Sequence, residues 1–140
     1  MAEGGVFSQN QFPRGRGVPN ENPAARFVID TEKQRIVVKF GKKVTARDIA
    51  QYADRLRADP LFRPNFSEIV DLTGVEDLDL QADEFLKLAD EVDPFSDDAK
   101  RAFVVSNPVQ HHAARMHMAL RGRQNIAIFS SLAEAQRWVG

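Results

Sequence analysis

The chain has 140 residues, enough for one domain that hides about two-thirds of its unfolded surface without a metal or disulfide staple. Its 43% hydrophobic and 28% charged residues exclude a disordered or collagen-like polymer, and the absence of cysteine excludes a disulfide scaffold, a thiol nucleophile and cysteine-ligated zinc or iron–sulfur sites. No apolar run approaches the ~18 residues of a membrane span, and no basic-then-apolar leader is read at the start. A net charge of −1 provides no basic surface for tracking phosphates, so nucleic acid is not an expected partner. A cytoplasmic location is expected.

Residues 1–25 combine Gly4, Gly5, Gly15 and Gly17 with Pro13, Pro19 and Pro23 and lack apolar periodicity. They predict a disordered tail ahead of a single domain over residues 26–140. The β-branched and aromatic runs Phe27–Asp30 and Arg35–Phe40, separated by the polar Thr31–Gln34, predict a hairpin. Thr45-Ala46-Arg47-Asp48 has the spacing of a capping box. Ile49, Tyr52, Ala53 and Leu56 then follow at helical intervals until Asp59-Pro60 stops the helix.

The apolar loop Leu61–Phe66 reads as a plug between that helix end and the sheet. Glu68–Leu72 predicts a third strand, and Gln81–Val92 a second helix with Phe85, Leu88, Ala89 and Val92 on its inner face. Arg101–Ser106 is nearly continuous in apolar residues, the pattern of a strand covered on both sides. Asn107-Pro108 opens a third helix, with Val109, Ala113, Met116 and Leu120 expected inward and Gly122 closing it. Asn125–Phe129 predicts the fifth strand. Ser131–Glu134 starts a last short helix, with Ala135, Trp138 and Val139 inward. The order β-β-α-β-α-β-α-β-α predicts an α/β fold: a mixed, mostly parallel five-stranded sheet with its first strand antiparallel and helices on both faces.

Charge is segregated along this framework. Twelve acids and one base, Lys87, lie between Glu68 and Asp98, while the flanking stretches are each net positive. The run reads either as a solvated face or as a docking patch for a basic partner, including the basic surface of a second copy.

Sites for chemistry are sparse. His111, His112 and His117 fall on one helix without the i, i+4 spacing of a metal pair, and His112 and His117 point about 140° apart on opposite edges of the expected buried stripe. Asp77-Leu78-Asp79 and Asp97-Asp98 lack the glycine and glutamate of a calcium loop. Ser106, His111 and Asp71 lack the strained elbow that presents a nucleophilic serine. No glycine-rich phosphate loop is present; Gly41-Lys42-Lys43 could offer amides and charge to an anion, and a β-to-α turn explains it equally well. No catalytic set, metal or cofactor is expected. The carboxyl ends of the strands, where open α/β sheets bind ligands, offer Thr73, Ser106, Asn107 and Ser130 for hydrogen bonding.

A set of segments carries a family resemblance: the hairpin Phe27–Phe40, Arg57–Phe62 with Phe66, Ile69–Val75, Asp93-Pro94-Phe95, Ala114-Arg115-Met116 and Phe129–Ala135. Through these the ordered part of the chain resembles the SpoIIAA-like, STAS-related family of small bacterial proteins. The resemblance implies the same mixed five-stranded sheet. In anti-sigma-factor antagonists of this fold a serine in an Asp-Ser-Ser-Gly motif is phosphorylated to block docking. Here that motif falls on Asp79-Leu80-Gln81-Ala82, which has no hydroxyl to modify.

Two functions are therefore expected. The first is a non-catalytic protein-interaction module that lacks the phosphorylatable serine and docks through the acidic loop and second helix, with Glu76, Asp77, Asp79, Leu80, Asp83 and Glu84 as candidates. The alternative is a carrier of a small apolar molecule or lipid held between sheet and helices. Homodimerisation through the opposed charges is compatible with either.

Overall fold

A computed structural model describes residues 25–121 and 125–140. The expected tail, apart from Ala25, and the helix-closing Gly122 lie outside the described residues. Strands β1 (Ala25–Asp30), β2 (Arg35–Phe40), β4 (Ser67–Asp71), β6 (Arg101–Val104) and β7 (Ile126–Phe129) form one sheet in the order β1-β2-β4-β6-β7. β1 runs antiparallel to β2, with Ala25 opposite Phe40, and the other neighbours are parallel. This is the architecture expected from the alternation of elements.

Helices α1 (Ala46–Ala58), α2 (Ala82–Lys87) and α3 (Pro108–Arg121) share one face of the sheet, and α4 (Leu132–Val139) packs on the other. Strand periodicity sorts the side chains between the faces. Ile36, Val38 and Phe40, Val70 and Leu72, and Phe103 and Val105 enter the large core, joined by Leu56 and Tyr52 of α1. Ile69, Ala102 and Val104 enter a smaller core closed by Ala135. Tyr52 packs edge-on against Phe27 and Phe40, with ring centroids 5.6 and 5.8 Å away.

The start of α1 follows its sequence signal: the Thr45 hydroxyl accepts from the Asp48 amide, and the Asp48 carboxylate accepts from the Thr45 amide at 2.9 Å. The apolar loop after α1 is a plug, with Phe62 and Phe66 buried and Phe62 edge-on to Phe95 at 5.4 Å. At α4 only half of the expected box forms. Ser131 accepts from the Glu134 amide, whereas the Glu134 carboxylate accepts from the Ser130 hydroxyl.

Three elements depart from expectation. Two three-residue strands, β3 (Lys43–Thr45) and β5 (Asp77–Asp79), pair in parallel as a separate ribbon, with Lys43 opposite Asp77. The second helix is not regular: α2 gives way to a π-helical turn over Leu88–Val92, closed by the Asp93 amide donating to the Leu88 carbonyl. Such a turn carries one extra residue and re-aims the chain beyond it. Finally, Val109 is 56% exposed rather than inward. The inward stripe of α3 runs instead through Gln110, Ala113, Ala114 and His117, spaced i, i+3, i+4 and i+7.

Candidate functional site

Between the helix-bearing face of the sheet and α1, the π-helical turn and α3 lies a cavity of about 100 Å³. Its aliphatic and aromatic walls include Phe40, Val70, Leu72, Leu88, Phe103 and Ala113. Ile49, Leu78, Leu80, Val92 and Pro94 are half-buried and line it as well. One wall is polar, made by Tyr52, Glu68, Asp93, Arg101 and His117.

Each member of that wall is placed by a different element. Glu68 and Arg101 each lie at or next to the start of a buried strand, opposite one another in the parallel β4–β6 register, so their side chains emerge side by side on the large-core face. The Arg101 guanidinium donates from Nε to Glu68 Oε1 at 2.9 Å, and its Nη2 forms an ion pair with the same oxygen, also at 2.9 Å. Its Nη1 donates to Asp93 Oδ2 at 2.6 Å. Asp93 reaches this position because the π-helical turn delivers it there, and its other oxygen accepts from the Phe95 amide. The Tyr52 hydroxyl, from the middle of α1, donates to Glu68 Oε2 at 2.6 Å. His117 Nε2 of α3 stands 3.6 Å from Asp93 Oδ2, with its ring edge-on to Phe103. Arg101 also lies over the Phe95 ring, 4.5 Å from its centroid.

Burial governs the electrostatics, because Glu68 is 1% exposed. Desolvation raises its carboxyl above the usual range and outweighs the Arg101 ion pair and the Tyr52 hydrogen bond, which act in the other direction. Burial also pushes Asp93 up, but the charge and hydrogen bonds of Arg101 and the Phe95 amide outweigh it and hold this carboxyl below its usual range. Burial alone would lower the Arg101 pKa, yet the two carboxylates raise it, so it is permanently charged. Tyr52 is raised well above its ordinary value, by burial first and by Glu68 second, and stays a neutral phenol.

This wall is absent from the sequence reading, which finds no acid–base set and places His117 at the edge of α3. Glu68 and Asp93 belong to the acidic run, yet both are buried, because Arg101 gives them a counter-ion inside the fold. The signal that could reveal them is the charge that opens each of two otherwise apolar strands, Glu68 before Ile69-Val70 and Arg101 before Ala102–Val105.

The expected ligand residues lie elsewhere. Ser106, Asn107 and Ser130 come together at the ends of β6 and β7 in an open groove with His111, His112 and Arg115. Asn107 caps α3 by accepting from the Gln110 amide, and the Ser106 amide and hydroxyl both donate to Gln110 Oε1. Thr73 does not line this groove; its hydroxyl and amide donate to Asp71.

Of the expected docking residues, Glu76, Asp77, Asp79 and Asp83 are exposed and Glu84 is half-buried, accepting from the Gln81 amide at 2.7 Å. Leu80 is half-buried and lines the cavity. Among the described residues no three metal-binding side chains stand close enough to hold an ion, and no helix is long and apolar enough to cross a membrane.

No protein-family model matches the chain, and no curated protein matches it. Among solved structures it is similar to an uncharacterised protein of the DUF3478 family with a SpoIIAA-like fold, from Shewanella loihica PV-4. The two are 20% identical, with a TM-score of 0.59, over 89% of this chain and the whole of that one. The mixed sheet, its strand order and this match together give the chain a SpoIIAA-like fold.

Proposed function

We propose that this protein is a non-catalytic binding module that holds a small, mainly apolar molecule between its sheet and its three-helix face. The observation that carries this reading is the cavity itself, apolar on most sides and closed at one end by charged groups that already satisfy one another. Pockets of that character suit small ligands, with a few polar groups fixing orientation. Mutual pairing of Glu68, Arg101 and Asp93 favours holding over turnover, since each group is committed to a neighbour. Native mass spectrometry of the chain purified from its own host tests the proposal. An added small mass is expected on the unaltered chain and should be lost in Ala113→Phe, which fills the cavity. A bare mass in every preparation overturns the reading.

A protein-interaction role is the second reading, and one observation favours it. On β5 the side chain of Leu78 lines the cavity while Asp77 and Asp79 on either side are exposed, so the ribbon presents acidic groups outward, and Asp83 of α2 is exposed as well. Such an edge suits a basic partner or the basic segments of a second copy. Replacing Asp77, Asp79 and Asp83 by lysine should abolish capture of that partner, and the self-association arm is read from salt-dependent sizing. Unchanged capture and unchanged sizing together remove this reading.

A further inference from the structure

The polar wall also restricts what the cavity can hold, an inference that rests on the ligand-binding reading above. Two carboxylates, Glu68 and Asp93, face it against one guanidinium, which lies within hydrogen-bonding distance of both. Even with the His117 imidazole protonated, the wall has no net positive charge. An incoming carboxylate would be a third anion in a desolvated pocket, where an uncompensated charge is costly.

Hydrogen-bonding capacity points the same way. The Tyr52 hydroxyl spends its proton on Glu68 Oε2, so its oxygen faces outward only as an acceptor. Glu68 receives two donated bonds, from Tyr52 and from Arg101 Nε, with Arg101 Nη2 in ionic contact beside them, whereas a carboxylate offers about four acceptor positions. The Tyr52–Glu68 pair therefore lacks a donor rather than an acceptor. The remaining lining is aliphatic or aromatic and would not solvate a full charge.

Size sets the last limit. An apolar cavity of about 150 Å³ holds a benzene molecule, so about 100 Å³ suits four or five heavy atoms.

We propose that the cavity takes a small uncharged aliphatic alcohol, whose apolar body fills the aliphatic end and whose hydroxyl donates to the Tyr52–Glu68 pair, and that it rejects a carboxylate of the same size. The raised Glu68 carboxyl agrees with this, since burial is the first cause of the shift and the same desolvation penalises a further anion.

Methyl-detected NMR titration of the full chain tests this with four probes: xenon, 1-butanol, propionate and n-butylamine, the last three with five heavy atoms each. Xenon senses the cavity without polar chemistry and so tests the underlying reading by itself. The expected result is that xenon and 1-butanol both shift the Val70, Leu72 and Leu88 methyls, with propionate and n-butylamine weaker than 1-butanol by about tenfold or more. If xenon binds but propionate or n-butylamine equals or exceeds 1-butanol, or none of the three binds, the inference on ligand class is overturned and the cavity reading stands. If no probe, xenon included, shifts those methyls, the cavity reading itself falls.

Discussion

Arg101 and Glu68 sit directly opposite one another in adjacent parallel strands, and two nitrogens of the guanidinium meet the same carboxylate oxygen at 2.9 Å. The contact ties the centre of the sheet to α1 through Tyr52 and to the π-helical turn through Asp93. Burying such a group adds little stability over a well-packed apolar substitute, but removing one partner strands the others without compensation.

Arg101→Met should therefore be among the most damaging single changes in the domain. It leaves Glu68 and Asp93 buried without their cation, and a loss of about 3–5 kcal/mol is expected by denaturant unfolding. Glu68→Gln should cost clearly less, because Arg101 keeps Asp93 and the amide oxygen still accepts from Tyr52. Equal losses in the two variants would show that the charges are not what holds the cluster.

The two carboxyls should also respond oppositely to pH. The folded Glu68 pKa is raised, so its favourable contribution is present below its unfolded value near ~4.3 and is lost as pH rises through the folded value. The folded Asp93 pKa is depressed, so its contribution is present above about 3.9 and is lost as pH falls through the folded value. Urea midpoints measured against pH should show Glu68→Gln gaining on the unaltered chain as pH rises. Asp93→Asn should lose its deficit as pH falls. Parallel curves for all three proteins would contradict both assignments.

Gln110 offers a test of the other buried polar node. It is 2% exposed, and its side chain accepts from the Ser106 amide and donates to the Thr73 and Val75 carbonyls at 3.3 and 2.8 Å. It thereby ties the start of α3 to the loop leading into β5. Gln110→Leu keeps the volume and leaves those backbone groups without this partner, so a loss of at least about 2 kcal/mol is expected by thermal or urea unfolding. A near-neutral result would mean that water replaces the amide there.

The sheet and its faces are legible in the sequence because strand alternation and helix periodicity are local signals. Phe27 and Ile29, or Tyr52 and Leu56, declare their face within one element, and the Thr45–Asp48 box spans only four residues. The polar wall is not legible, since Tyr52, Glu68, Asp93, Arg101 and His117 come from five separate places in the chain and meet only once the sheet register is set. Asp93 depends further on a π-helical turn that no spacing rule announces. The β3–β5 ribbon is invisible to pattern reading because three residues carry too little alternation to count. Hydrophobicity alone points Val109 inward, whereas the inward face of α3 is anchored by the satisfied amide of Gln110.

The unequal coverage of the two sheet faces has a dynamic consequence. Among the described residues three helices cover one side, while α4 guards the other through a small cluster centred on Ala135 and a clasp in which Lys100 donates to the Trp138 carbonyl. Detachment of this terminal segment should be the cheapest sub-global opening of the domain. Amide hydrogens of α4 should exchange with solvent deuterium well before those of β4 and β6, leaving the opposite compartment intact while the back of the sheet breathes.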